Sequence, residues 1–275
     1  HALTFSAGLA ANGMKPYTAI YSTFLQRGYD NIIHDIALQK LPCVICVDRA
    51  GLNAGDGATH HGIFDVAFLS QIPNLTIYTP CTLGALRAAM DAAYHSEQPS
   101  AIRYPNGTEN QEVMENFYSD GSYSAPGAVC NYDSTADLDL VIVTHGRIVC
   151  EALKAAKKLN EEGISTGIIL LEMLKPYDPT VGRIEQLLPN DRCGILFLEE
   201  EIRSGGMGMN LSDRMLQKGL ITSDRYRCMA VEDSFVEDRN SGEHIYHSAG
   251  IDASSIYRQS YELYHQLCTK TPIKA

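Results

Sequence analysis

The sequence predicts an α/β protein of two domains, each a mainly parallel sheet flanked by helices. Three observations predict it. Short apolar runs such as "CVICVD", "LTIYTP" and "LDLVIVTHG" alternate with longer segments whose apolar residues recur at helical spacing. The runs are apolar at successive positions, as strands covered on both faces of a parallel sheet require. Between residues 107 and 137 the periodicity stops and Gly, Ser, Asp and Asn collect. The 275 residues therefore divide into domains over 1–118 and 137–275, joined by a linker over 119–136.

In the first domain, residues 1–13 read as an Ala-rich helix stopped by Gly13, and 15–22 as a strand. Residues 23–39 carry Leu25, Tyr29, Ile32, Ile33 and Ile36 on one helical face, with Ser22 or Thr23 as the cap. A strand over 43–48, a short helix over 62–72, a strand over 75–80, a helix over 82–96 capped by Thr82 and a strand over 100–105 complete the domain. In the second, strands over 138–146, 165–173, 193–200 and 226–233 alternate with helices over 147–163, near 180–188, and over 208–220 and 254–267. No internal repeat relates the halves.

With 33 acidic against 22 basic residues, a net charge of −11 and no basic cluster, the chain offers no surface for nucleic acid or an anionic membrane. No run reaches the roughly 20 apolar residues that cross a bilayer and no signal peptide opens the chain, so it reads as cytoplasmic. Cys43 and Cys46 form a C-x-x-C, but on a strand that spacing points the side chains to opposite faces. The eight cysteines read as thiols in a reducing compartment, and no residue is assigned to a metal. The opening residue is His1, which reads as the start of a piece of a longer protein.

Directly after the strand over 43–48 comes "DRAGLNAGDGATHHG". Ligands of open parallel sheets sit beyond the carboxyl ends of the strands, where this loop falls. Its glycines permit positive φ and close backbone approach, Arg49 offers a planar fork for phosphate or carboxylate, and His60 can move a proton near neutral pH. A solvated loop with a surface histidine is the alternative. Tyr21, Phe24 and Arg27 follow the strand over 15–22 and face the same end of the sheet. Taken by themselves, Tyr21 and Phe24 read as boundary aromatics packed into the core.

The combination of "YSTFLQRGYD", "DRAGL…DGATHHG" and "IPNLTIYTP" resembles the 1-deoxy-D-xylulose-5-phosphate synthase family of the transketolase superfamily, and "LEMLKPYD" and "FLEEEIRSGGMG" resemble its C-terminal domain. The likeness covers nearly the whole chain and fades between about 107 and 137 and after about 232. It implies a thiamine diphosphate enzyme that decarboxylates pyruvate and adds the two-carbon unit to glyceraldehyde 3-phosphate, feeding isoprenoid, thiamine and pyridoxal synthesis. This chain would hold the pyrimidine-binding and C-terminal domains of a homodimer. The diphosphate and Mg²⁺ would be held by a further domain, in cis or on another chain. Phe24 would stack on the aminopyrimidine with Arg27 beside it. Tyr21 and Arg49 would hold the acceptor near its phosphate. Asp56 and His60 would line the substrate channel, with His60 steadying or protonating the developing alkoxide. His61 stands where many relatives have Gln and receives no role.

The family's activating glutamate, in "EQH", belongs two residues ahead of His1. Asn106 in "RYPNG" replaces an arginine of the family's "RYPRG", which resembles a phosphate ligand. Two other readings follow from the same residues. One is a split transketolase-type subunit, or the beta-type subunit of a 2-oxoacid dehydrogenase. The other is a non-catalytic relative acting as a binding module, which Asn106 favours.

Overall fold

Two five-stranded sheets carry the chain, and each consists of four parallel strands closed by one antiparallel edge strand. The computed structural model describes all residues except 122, 124, 125, 134, 238–242 and 271–275. After α1 (Ala2–Ala11), the first sheet is built from β1 (Tyr17–Tyr21), β2 (Val44–Asp48), β3 (Thr76–Tyr78) and β4 (Ser100–Arg103), with α4 (Asp65–Ser70) and α5 (Leu83–His95) between strands. Their order is β1-β2-β4-β3, all parallel. Thr82 caps α5 as expected, its hydroxyl accepting from the Ala85 N–H at 3.1 Å.

The single helix expected over 23–39 is instead segmented. It runs as α2 (Ser22–Leu25), a 3-10 turn (Gln26–Gly28), α3 (Tyr29–Asn31) and a π-helical turn (Ile32–Ala37). Gly28 supplies a reason. A Cβ there would fall 2.3 Å from Leu3 Cδ1, so the bare backbone lets α1 pack against the segment.

The second sheet is ordered β10-β9-β6-β7-β5. It comprises β5 (Ala128–Cys130), β6 (Leu140–His145), β7 (Thr166–Leu171), β9 (Gly194–Ile202) and β10 (Tyr226–Val231). Flanking it are α7 (Val149–Glu161), α8 (Tyr177–Leu187), α9 (Met207–Gln217), α10 (Glu243–Ser248) and α11 (Ala253–Lys270). The stretch expected as linker differs from a plain connection. It lies partly outside the described residues, it holds β5 paired antiparallel with β7, and α6 (Gln111–Phe117) precedes it. Both elements are too short for a periodic signal. The strand β8 (Met173–Lys175) also crosses to the first sheet and pairs antiparallel with β3. The two halves thus share a sheet edge. One apolar cluster joins them, running from Leu3 and Ile45 to Phe197 and Ile221. Cys43 and Cys46 do fall into different clusters, and all eight cysteines are free thiols.

A buried charge cluster sits where the sheets meet. Arg103, the last residue of β4, gives Nε and Nη2 to the two oxygens of Asp65 at 3.1 Å each, and its Nη2 lies 2.5 Å from Glu201 on β9. His145 ends β6 with Nδ1 3.3 Å from Arg103 Nη1 and Nε2 3.3 Å from Glu201. These four residues are at most 2 % exposed. Burial opposes the charge on Arg103, but Asp65 and then Glu201 outweigh it and hold the guanidinium protonated. Burial likewise pushes the Glu201 carboxyl up, and Arg103 and His145 more than reverse it, leaving it well below the usual carboxylate range. Glu199 and Glu200 lie beside it. Burial and then the Glu201 charge push both of their carboxyls up.

Arg103→Met is expected to destabilise the chain by roughly 3–5 kcal/mol at neutral pH, because it strands two buried carboxylates; urea unfolding measures it. The pH dependence has two arms. Glu199 and Glu200 bind protons more tightly folded than unfolded, so their contribution is fully present below the ordinary carboxylate pKa and is lost as pH rises through their raised values. The contribution of Glu201 has the opposite sign and is lost as pH falls below that range. Urea midpoints across pH should therefore fall on both sides, and Glu200→Gln should flatten the alkaline arm alone.

Candidate functional site

Tyr21 and Asp48 are register partners at the carboxyl ends of β1 and β2, so Tyr21 and Arg49 emerge side by side. The guanidinium of Arg49 lies 4.4 Å from the Tyr21 ring centroid. One helical turn on, Phe24 stacks on Tyr21 with centroids 5.5 Å apart and planes 6° apart. Arg27 lies 5.9 Å from the other end of this stack, over Phe24. His60 meets Phe24 edge-on at 5.6 Å, and Asp56 accepts from Arg49 Nη1 at 2.6 Å. The six residues singled out in the sequence, Tyr21, Phe24, Arg27, Arg49, Asp56 and His60, form one continuous wall. Phe24 is 43 % exposed, so the core-packing reading of this aromatic does not hold.

The loop behind the wall is ordered by its own backbone. Gly51 and Gly62 exchange N–H···O bonds of 2.9 and 2.8 Å. Gly51 has φ 82°, and a Cβ there would lie 2.3 Å from the Glu200 carboxyl carbon. Arg49 takes the left-handed conformation at φ 57°, unusual for a side chain of its size, and its N–H is held by Asp48 Oδ1 at 2.9 Å. Asn53 is the hub of the loop. Its Nδ2 donates to the carbonyls of Arg49, Gly51 and His60 at 2.8, 3.1 and 3.1 Å, and its N–H donates to Nδ1 of buried His61 at 3.0 Å. Thr23 of α2 ties in the far side through the Thr59 carbonyl at 2.9 Å, and the Thr59 hydroxyl meets His60 Nδ1 at 2.9 Å.

From the second sheet, Glu200 accepts the Leu52 N–H at 3.0 Å. Its neighbour Glu199 accepts from Met207 and Gly208 at the start of α9, at 2.6 and 2.9 Å. Among the described residues, His145, Glu199 and Glu201 approach closely enough to share a metal ion. The carboxylates are already engaged, however, by the α9 N–H groups and by Arg103.

Sequence reasoning missed Asn53, His61 and Glu200. The available signal was three consecutive acidic residues closing an otherwise apolar strand, "ILFLEEE", since buried carboxylates need partners.

Residues 1–110 match the family described as "Transketolase, pyrimidine binding domain", and residues 131–256 match "Transketolase, C-terminal domain". The chain is 37% identical over 264 residues to a 1-deoxy-D-xylulose-5-phosphate synthase of Clostridium perfringens, an alignment covering 96% of this chain and 41% of that protein. It is 40% identical over 258 residues to the same-named protein of Chlorobium phaeovibrioides, covering 93% and 39%. The chain thus spans about two fifths of the length of these relatives. Among solved structures it is similar to a "Split gene transketolase, inactive beta4 tetramer", with a TM-score of 0.78, 22% identity, and coverage of 96% of this chain and 81% of that one. At that identity the likeness concerns the fold. No helix among the described residues is long and apolar enough to cross a membrane.

Asn53→Ala should cost roughly 1–3 kcal/mol in urea unfolding, because three loop carbonyls and a positioned turn lose their donor. Asn53→Asp should cost more than alanine at neutral pH. A carboxylate cannot donate and would face those same carbonyls.

Proposed function

Because the chain joins a transketolase pyrimidine-binding domain to a transketolase C-terminal domain and so belongs to the transketolase family, we propose that it is the cofactor-ring and acceptor-binding part of a thiamine-diphosphate-dependent transferase. The reaction we assign is that of the relatives' name: pyruvate, with loss of carbon dioxide, is condensed with glyceraldehyde 3-phosphate to 1-deoxy-D-xylulose 5-phosphate. The observation that carries this reading is the wall formed by Phe24, Tyr21, Arg49 and His60.

The half-open face of Phe24, with Arg27 at its rim and His60 edge-on, fits a flat heteroaromatic ring. We assign Phe24 to the aminopyrimidine and Arg27 to its border. When bound, thiamine diphosphate supplies the electron sink for decarboxylation and carbon–carbon bond formation. The diphosphate and Mg²⁺ fall to a further domain, in cis or on another chain, and no residue described above is assigned to them.

Arg49 takes the acceptor's phosphate. Its guanidinium already lies on Tyr21 and bonds Asp56 through one nitrogen, so the phosphate enters beside or in place of that carboxylate. Asp56 thereby sets how strongly the loop attracts anions. His60, its Nδ1 turned to Thr59, has Nε2 left to hold or deliver a proton at the acceptor's carbonyl oxygen as negative charge develops there. The Asn53 brace keeps Arg49 and His60 at fixed separation, which is what an acceptor held at both ends requires.

A second reading takes the chain as one subunit of a split enzyme that meets its diphosphate-binding domain on another polypeptide. It is favoured by the likeness to a split-gene transketolase over 81% of that chain. Under either reading we assign a homodimeric or higher assembly. In the holoenzyme, Arg49→Ala should raise KM for glyceraldehyde 3-phosphate roughly tenfold or more, the scale of a lost charge-assisted hydrogen bond, while KM for pyruvate changes little. Equal effects on both substrates would make Arg49 a loop-holding residue and remove the phosphate assignment.

A further inference from the structure

His60 is held on every side but one. Its N–H donates to the Gly57 carbonyl at 2.9 Å, its carbonyl accepts from Asn53 Nδ2 at 3.1 Å, and its ring meets Phe24 edge-on. The ring's own polar contact is to the residue before it, with Nδ1 2.9 Å from the Thr59 hydroxyl. Nε2 has no partner among the described residues. Which nitrogen carries the hydrogen of the neutral ring is therefore decided at Thr59.

Counting hydrogens separates the two arrangements. In the first, the Thr59 hydroxyl donates to Nδ1 and the ring hydrogen sits on Nε2. In the second, Nδ1–H donates to the Thr59 oxygen and Nε2 is a bare lone pair. Among the described residues, Nδ1 is the one partner of the Thr59 hydroxyl, so the second arrangement leaves the hydroxyl proton without an acceptor in the protein. The first uses it.

Thr59 is itself anchored. Its carbonyl accepts from Thr23 Oγ1 at 2.9 Å, and Thr23 sits beside Phe24 on α2. A β-branched side chain is stiff at χ1, so a backbone fixed in this way also fixes where the Thr59 hydroxyl can reach. The hydrogen bonds thus run from the helix that carries Phe24, through two threonines, to the imidazole that meets the Phe24 ring.

We propose that Thr59 is a positioning residue that holds His60 as its Nε2–H tautomer, with Thr23 as its anchor. This rests on the acceptor-binding role given above to the wall, and it narrows the part His60 plays there. The neutral ring gives a hydrogen bond from Nε2 to the acceptor's carbonyl oxygen as negative charge grows on it, and does not serve as a base. A donor preset in this way needs no tautomer exchange at the moment of reaction.

Long-range proton–nitrogen correlation spectra of the full chain, labelled on histidine and taken at a pH where imidazoles are neutral, test this without cofactor or substrate. The His60 signals are identified by their loss in His60→Gln. The wild type should show a hydrogen-bearing nitrogen at Nε2 and a bare one at Nδ1. Thr59→Val keeps the shape and removes the hydroxyl, so it should lower the ratio of Nε2–H to Nδ1–H about fivefold, the scale of one neutral hydrogen bond, and Thr59→Ser should restore it. Thr59 is exposed, so neither replacement disturbs the core. Nδ1–H as the main wild-type form, an unchanged ratio in Thr59→Val, or Thr59→Ser behaving like the valine variant would each overturn the proposal. The tautomer is read in the free chain, so its failure leaves the Arg49 test of the proposed function untouched, and failure of that test leaves the tautomer result standing.

Discussion

Arg103 is the residue on which the arrangement depends. It ends the central strand of the first sheet, it is 2 % exposed, and its charge is held by one carboxylate from the first half, Asp65, and one from the second, Glu201. A buried guanidinium must be matched by negative charge at short range, because desolvation costs several kcal/mol per ion when it is not. The two halves can therefore dock in few ways, since any slip of β9 relative to β4 takes Glu201 away from Arg103 and leaves the guanidinium with Asp65 as its one carboxylate. The apolar cluster shared by the two sheets supplies attraction without direction, and the charge cluster supplies the register.

That register is transmitted to the site through adjacent residues on one strand. Glu199, Glu200 and Glu201 are consecutive on β9, and their partners are, in order, the N-terminus of α9, the Leu52 N–H of the site loop, and Arg103. Fixing Glu201 against Arg103 places Glu200 under Gly51, where only a glycine leaves room for the carboxylate. Arg49 and His60 are thus positioned from two directions. Asn53 holds them from within the loop, and Glu200 holds the loop from the other half of the molecule.

Much of this was legible in the sequence. The parallel strands announced themselves as apolar runs, and the site residues as polar clusters placed where such strands end; Tyr21, Phe24, Arg49 and His60 follow β1 and β2 directly. What was not legible depends on contacts remote in sequence or on elements too short to show a period. Leu52 and Glu200 are 148 positions apart, and nothing in either segment names the other. The three-residue strands β5 and β8 have no room for alternation, and β8 joins a sheet belonging to the other half of the chain. The segmented helix after Tyr21 kept its apolar face, so its periodicity read as one helix, while the close approach of Leu3 to Gly28 is a contact remote in sequence. His61 carried no sequence signal beyond its neighbour, and its position becomes meaningful only beside the Asn53 N–H.

Asn53 and Glu200 hold the site loop as part of the interior, so that it does not move as an independent surface loop. Native-state hydrogen exchange of the Leu52 and Asn53 amides tests it most directly. Although they lie in an irregular loop, both should exchange with the protection of the β2 amides, through the same opening that separates the two halves. Exchange at the rate of exposed loop amides, while β2 stays protected, would contradict it.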